Sequence, residues 1–406
     1  MMVPQMPRIE FVYFDAGGGH RSAATALKSV IESQNRDWDV QLFNLQEYLD
    51  ALDFMRMLTG IRMQDIYNQM LRHGWTLGST QIMRVLQLTI RMYHPLLVPR
   101  LAKRWSETQP AMVVSFIPHF NRALKESLER ALPGRPFVTL LTDLADFPPH
   151  FWIERQEQSF ICGTQHAVEQ ARAAGHPDSR IFRVSGMILN PRFYEPLNRD
   201  RRAERVRLGL DADRLTGLVL FGGYGSKSMR QIAERLDSSG LPIQLIFICG
   251  KNERLASALR SGKSQVPRFV EGFTKEVPYY MRLSDFFLGK PGPGSISEAL
   301  AMRLPVIVER NAWTLPQERY NAEWVRENGY GTVVRNWNES ARAVGDLLAP
   351  AAFAGTKQAV AAFQNRAVFE IPEAFDAILQ NRPAPLRPAD NVAGHALEQA
   401  GSRRGN

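Results

Sequence analysis

Cysteine is nearly absent from this chain: there are two, Cys162 and Cys249, in 406 residues. That excludes a disulfide framework, and the spacing suits no metal site. Both thiols sit beside apolar residues and read as core positions in a protein of the reducing cytoplasm. Long hydrophobic runs are missing too. No stretch approaches the roughly 20 apolar residues that span a bilayer. The first strand-like segment arrives by Ile9, with no secretory signal expected before it. Two nucleotide motifs are also lacking, G-x-G-x-x-G and G-x-x-x-x-G-K-[ST], so hydride transfer and ATP hydrolysis lose their usual support. Asp211-Ala212-Asp213 has D-x-D spelling, but in a polar link before a strand it reads as a solvated turn, and no metal site is expected.

What remains is an ordinary globular composition, 44% hydrophobic and 22% charged, long enough for two domains. The net charge of +9 is uneven: residues 51–105 hold eight arginines and lysines against two aspartates. In that region Met55, Leu58, Ile61 and Ile66 recur at helical spacing, and six of the 14 methionines lie there, with Trp75 and Tyr93. Basic charge beside soft apolar side chains predicts helices that dock on an anionic membrane surface, the plainer alternative being helices packed on a sheet. The aromatic-plus-basic pattern of single-strand binders is weak, and no nucleic-acid partner is expected.

The rest alternates strand-like and helix-like segments, the pattern of parallel βα units. Strands are predicted at 9–14, 40–43, 111–116, 137–141, 159–162 and 181–184, then at 215–221, 243–249, 269–270, 286–288 and 304–308. A linker is read at 190–200, and a disordered Pro/Ala/Gly-rich tail after Arg382. The fold class is therefore α/β, with two Rossmann-like domains facing a central cleft. Glycine loops follow strands at 17–19, 222–225 and 292–294.

The loop at 289–300, GKPGPGSISEAL, is the most informative. Lys290 and the turn Pro291-Gly292-Pro293-Gly294 lead into a helix from Ser295, with Glu298 one turn in. Free backbone N–H groups and the helix dipole there favour phosphate. His20 enters its helix directly after the first glycine loop, where the dipole disfavours imidazolium and a neutral base is plausible. Asp143, at a strand end, is read as a second acid/base, a partner for His20, or a turn cap. Gln317, Glu318 and Asn321 follow Pro316 and can bind vicinal hydroxyls, or simply form a solvated helix face.

Together the motifs resemble a known family, the GT-B glycosyltransferases of the monogalactosyldiacylglycerol synthase type, related to the peptidoglycan transferase that adds N-acetylglucosamine to a lipid-linked acceptor. The matching segments are AGGGHRSAATAL at 16–27, LLTDL at 140–144, VSGMILNPRFY at 184–194, LFGGYGSKSM at 220–229, FICGKN at 247–252, FVEGF at 269–273 and the long run through 289–331. The resemblance implies a GT-B fold and an inverting hexosyltransferase that moves galactose or glucose from a UDP-sugar to a membrane lipid, 1,2-diacylglycerol foremost. It implies no cofactor beyond the donor substrate. Gly292, Pro293, Gly294 and Ser295 would cradle the diphosphate, with Lys290 nearby and Gly222 and Gly223 also in the donor site. Glu298 would bind the ribose, Phe273 would lie near the uracil, and Gln317 and Glu318 would hold the hexose hydroxyls. His20 would be the base, with Asp143 beside it. Residues 1–195 would form the acceptor- and membrane-binding domain, 51–105 its helical docking region. Residues 196–381 would bind the UDP-sugar, with the last helix packing back on the first domain, and 382–406 would be tail. The expected location is the cytoplasmic face of the cell membrane, as a peripheral protein. Alternatives are transfer of N-acetylglucosamine to a polyprenyl-linked or other lipid, and a non-catalytic UDP-sugar binder. Where plant-type members carry His-Pro after the third strand, this chain reads Phe116-Ile117-Pro118-His119, which leaves the acceptor and the hexose open.

Overall fold

The computed structural model describes residues 6–15, 19–50, 79–196 and 198–385, and of positions 50, 79–89 and 91 the backbone alone. In the first half, β1 (Arg8–Tyr13), β2 (Asp39–Asn44), β3 (Met112–Ser115), β4 (Phe137–Leu140), β5 (Ser159–Cys162) and β6 (Ile181–Arg183) form a sheet of order β2-β1-β3-β4-β5-β6. In the second, β7 (Leu215–Leu220), β8 (Ile243–Ile248), β9 (Arg268–Glu271), β10 (Phe286–Gly289), β11 (Val306–Glu309) and β12 (Gly331–Val334) follow the order β12-β11-β10-β7-β8-β9. Every pairing is parallel. Helices cover parallel sheets on both faces, so β3 and β8 are buried at every position. That is why they read as apolar runs rather than alternations.

One strand was absent from the sequence reading. The short edge strand β12, GTVV, is only partly buried over its first three residues. Its first residue pairs with Val306, and a Cβ at Gly331 would fall 1.8 Å from the Val306 carbonyl oxygen. Close backbone approach, not apolar patterning, defines that strand.

Both sheets reverse their winding direction once, between β1 and β3 in the first and between β7 and β10 in the second. In open parallel sheets the crevice outside the carboxyl ends at such a reversal is where ligands bind. The loop bearing His20 follows β1, and residues 116–119 follow β3. Residues 222–225 follow β7, and the Lys290 loop follows β10. Topology thus places each of these four loops at the reversal of its own sheet.

The helices that matter here are α1 (Gly19–Ser33), α2 (Ser79–Thr108), α3 (Gln165–Ala173), α4 (Pro293–Ala301), α5 (Pro316–Glu327) and α6 (Ala367–Leu379). The docking region expected over 51–105 is described from Ser79 onward, as helix; 51–78, together with Gly17 and Gly18 of the first loop, lies outside the described residues. The C-terminal part of α2 is bound to the first sheet. Leu97, Leu101 and Trp105 are buried, Trp105 Nε1 donates to Ser127 Oγ at 2.8 Å, and Arg104 lies over the Phe43 ring while bonding Glu10 at 2.9 Å. Another face of the same stretch points outward: Met92 is 72% and Leu96 62% exposed.

The chain crosses between the domains through residues 190–200 and returns before α6. That last helix packs on the first domain, where Ala367, Val368, Ile371 and Phe375 join the core of β1 and α1. Phe375 lies 5.9 Å from Phe11, centroid to centroid, and Glu370 accepts a hydrogen bond from Ser185 N at 2.8 Å. Order continues past Arg382: Ala384 is buried, and its N–H donates to the Ser179 carbonyl at 2.8 Å, so the tail read from 382 starts later than expected. Residues 386–406 lie outside the described residues.

Candidate active site

On the N-terminal side, α1 opens at Gly19 and places His20 in its first turn. His20 Nδ1 lies 3.0 Å from Thr142 Oγ1, and the ring sits 6.0 Å from that of Trp152. Burial pushes the imidazole down to about 4, against an opposing contribution from the Phe116 backbone, so the ring is neutral at physiological pH. Asp143 does not take the place of His20's partner. Thr142, one residue earlier, does, and Asp143 Oδ2 instead accepts a hydrogen bond from Trp152 Nε1 at 2.9 Å. Burial raises the Asp143 carboxyl to about 7, with Glu318 of the other domain adding to the rise and Lys290 opposing it. Glu318 and Lys290, from the carboxyl end of the second sheet, thus lie within electrostatic reach of Asp143 at the carboxyl end of the first.

A turn supports this side. Asp146 accepts from His150 N at 2.9 Å and Trp152 N at 2.6 Å, fixing the Trp152 indole between His20 and Asp143. His119 packs edge-on against Phe151 at 4.3 Å in a left-handed backbone conformation, φ 66°, and its buried Nε2 has no partner. Thr142, Asp146 and Trp152 escaped the sequence reading. Thr142 stood in the LLTDL segment, but nothing in that segment announces a contact 122 positions away.

On the C-terminal side, Gly292 opens α4 without any side-chain cap, and Pro293 occupies the first turn. The amides of Gly294 and Ser295 are therefore among those a helix leaves for an external acceptor. A Cβ at Gly294 would meet nothing within 4 Å, whereas one at Gly292 would come 3.2 Å from Ser295 Oγ and 3.4 Å from Lys290 Cε. Gly222 lies across from this turn, in a left-handed conformation (φ 73°) that favours glycine. Gly223 faces open space. Lys290 Nζ bonds Glu318 Oε1 at 3.0 Å, and this carboxylate holds the ammonium in its charged form. Glu298, one turn into α4, is pushed up to about 8 by burial.

Helix α5 brings the proposed sugar residues to the same place. Asn321 Nδ2 donates to the Pro291 carbonyl at 2.8 Å. Two buried oxygens, Gln317 Oε1 and Asn321 Oδ1, have no partner. Unsatisfied buried acceptors are rare enough to need an explanation. Phe273 is 57% exposed, with Lys251 Nζ 5.5 Å above its ring and 5.8 Å from that of Tyr224; neither Lys251 nor Tyr224 was singled out from sequence. The Asp211 turn behaves as read: Asp211 Oδ1 accepts from its own backbone at Asp213 N (2.8 Å) and Arg214 N (3.0 Å).

Two Rossmann-like domains with a cleft at both winding reversals define the GT-B class. A solved member of similar fold is MurG of Acinetobacter baumannii, with a TM-score of 0.59 at 11% identity over 91% of this chain and 99% of that one. Residues 20–187 match the Monogalactosyldiacylglycerol (MGDG) synthase family. A probable chloroplastic monogalactosyldiacylglycerol synthase of Glycine max is 29% identical over 84% of this chain, and monogalactosyldiacylglycerol synthase 1 of Arabidopsis thaliana 28% over 93%. The chain spans 64% of the length of the first and 71% of the second. Its fold is that of the GT-B class, and its sequence is similar to the monogalactosyldiacylglycerol synthases.

Proposed function

We propose that this protein transfers a hexose, galactose or glucose, from a UDP-sugar to a hydroxyl of a membrane lipid, 1,2-diacylglycerol, with inversion at the anomeric carbon. The observation that carries this is the opposition across one cleft of a neutral, buried His20 and an uncapped helix N-terminus with Lys290 at its mouth. The Gly294 and Ser295 amides, Lys290 and the Gly222-Gly223 loop hold the diphosphate. Their donors strengthen as charge develops on the leaving oxygen. Glu298 binds the ribose, and Phe273 lies along the uracil. Gln317 and Glu318 accept from hexose hydroxyls, which would satisfy the orphaned Gln317 oxygen.

Thr142 holds Nδ1 of His20, leaving Nε2 to take the acceptor's proton as its oxygen attacks the anomeric carbon from the face opposite the diphosphate. Imidazolium formation in so apolar a setting needs a counter-charge, and ionised Asp143, joined to the same Trp152, can supply it. The exposed Met92 and Leu96, next to Arg100 and Lys103, bring the acceptor side to an anionic membrane surface. Among the described residues no helix is long and apolar enough to cross a membrane, and the reading is of a peripheral protein on the cytoplasmic face.

The test is a panel of UDP-sugars against diacylglycerol and polyprenyl phosphate lipids, with products identified by mass. Hexosyl-diacylglycerol is expected. N-acetylglucosaminyl polyprenyl lipid would replace this reading with another acceptor class, and UDP binding without transfer to any lipid would make the protein a binder.

A further inference from the structure

Helix α5 touches both halves of the proposed site, and its contact with the N-terminal domain involves Tyr320. The Tyr320 ring stacks on that of His166, centroids 4.4 Å apart and planes 19° from parallel. His166 lies in the first turn of α3, which is bonded to the loop carrying Asp143. Thr164, the N-cap of α3, donates through Oγ1 to the Leu144 carbonyl at 2.5 Å. Gln170, on the same helix, both accepts from Asp146 N at 2.8 Å and donates to Asp146 O at 3.0 Å. On its other flank, α5 is joined to the diphosphate loop through Glu318 to Lys290 and Asn321 to Pro291. One aromatic pair therefore completes a physical chain from Lys290 to Asp143.

We infer that Tyr320 and His166 are positioning residues: their stack sets the closed geometry in which the hexose end of the donor faces His20. The inference rests on the function proposed above. A single aromatic pair contributes little beyond its buried area, on the order of 1 kcal/mol. It is strong enough to bias domain closure and weak enough to open for product release. Neither residue touches the diphosphate loop, so their loss acts on alignment rather than on UDP affinity.

Two readouts separate this from a merely structural contact. In steady-state transfer, Tyr320→Ala and His166→Ala each lower kcat about five- to tenfold, the scale of one such pair, while the UDP dissociation constant stays within about twofold. The double variant is no worse than either single one, and Tyr320→Phe and His166→Phe, which keep a stack, recover most of the rate. The second readout needs no turnover. Spin labels at Arg172→Cys on α3 and Arg326→Cys on α5, both exposed while the native thiols are buried, report the interdomain distance. The distance is short and narrowly distributed in the otherwise unaltered chain, lengthens and broadens with Tyr320→Ala, and returns with Tyr320→Phe. An unchanged distance in Tyr320→Ala, or a loss of UDP affinity with kcat intact, overturns the inference. A distance that responds as stated in a protein that transfers sugar to no lipid overturns the function instead, and leaves the latch standing.

Discussion

On the N-terminal side of the cleft the proposed catalytic groups are titratable side chains set by burial, His20 near 4 and Asp143 near 7. On the C-terminal side they are backbone amides at an uncapped helix end and an ion pair, Lys290 with Glu318. The first side can move a proton but has no obvious hold on an anion. The second can hold an anion whatever the pH, but has no neutral base. A group-transfer enzyme needs both, and the fold supplies them from two sheets whose winding reversals face each other. The difference teaches that chemistry and binding are separable here, domain by domain.

The sharpest way to break that separation is His20→Ala. It is expected to lower kcat by about 10²- to 10⁴-fold, the range for losing a general base, with UDP binding by calorimetry unchanged. Equal losses in both would mean that His20 belongs to the donor site. Next comes the helix that ties the C-terminal end of the chain to the first domain. Phe375→Ala deletes a fully buried ring and should cost about 3–5 kcal/mol of unfolding free energy, read from denaturant titration. A smaller loss would mean that α6 is not part of the N-terminal core.

Lys290→Met probes the other side. Removing the charge proposed to pair with the diphosphate should weaken UDP binding by about 10- to 100-fold, as charge-assisted bonds of about 1.5–3 kcal/mol imply. It should also move the acid limb of the transfer profile to higher pH, because the Lys290 charge lowers the Asp143 carboxyl across the cleft. That profile is the third comparison. Asp143 titrates near 7 from a raised value, so its ionised form is lost as pH falls through about 7, and kcat/KM should fall with it. Asp143→Asn should be slow at all pH and flat in this range.

The same raised carboxyls have a stability consequence of opposite sense. Glu298, held protonated by burial to about 8, stabilises the fold most below the ordinary carboxylate value of 4.5, and that contribution is lost progressively as pH rises from there through about 8. Glu298→Gln should therefore raise the unfolding temperature by an amount that grows as pH climbs from about 4.5 to 8 and stays level above it. Thermal melts at about pH 5 and 9 check this, the gain being small at the lower pH and large at the higher. The smallest effect concerns the membrane. Reversing Arg84 and Arg91 should weaken flotation with anionic liposomes, by about 1 kcal/mol per charge, and more at low salt. Equal recovery with neutral and anionic lipid would remove the basic docking surface.

Much of this was legible from residue order because parallel strands are buried on both faces and appear as apolar runs. β12 was missed because an edge strand of four residues starting at Gly331 has too little buried surface to leave a pattern. The glycine and proline turn at 291–294 was readable since its chemistry is local. The support of His20 was not: Thr142 and Trp152 reach it from distant loops, and periodicity carries no information about which loops meet at a winding reversal. Asp143 was found by its position at a strand end but given one partner too many. The same limit hid Lys251 near Phe273, and Tyr320, whose stacking partner lies in the other domain.

The central claim is that one chain joins a phosphate-holding domain to a base-bearing domain for transfer to a lipid. It is tested most directly by the structure of the product formed from an α-configured UDP-hexose and 1,2-diacylglycerol. The linkage, read by NMR, should be β, with one hexose added. An α-linked product, or release of free hexose with the lipid untouched, would contradict it.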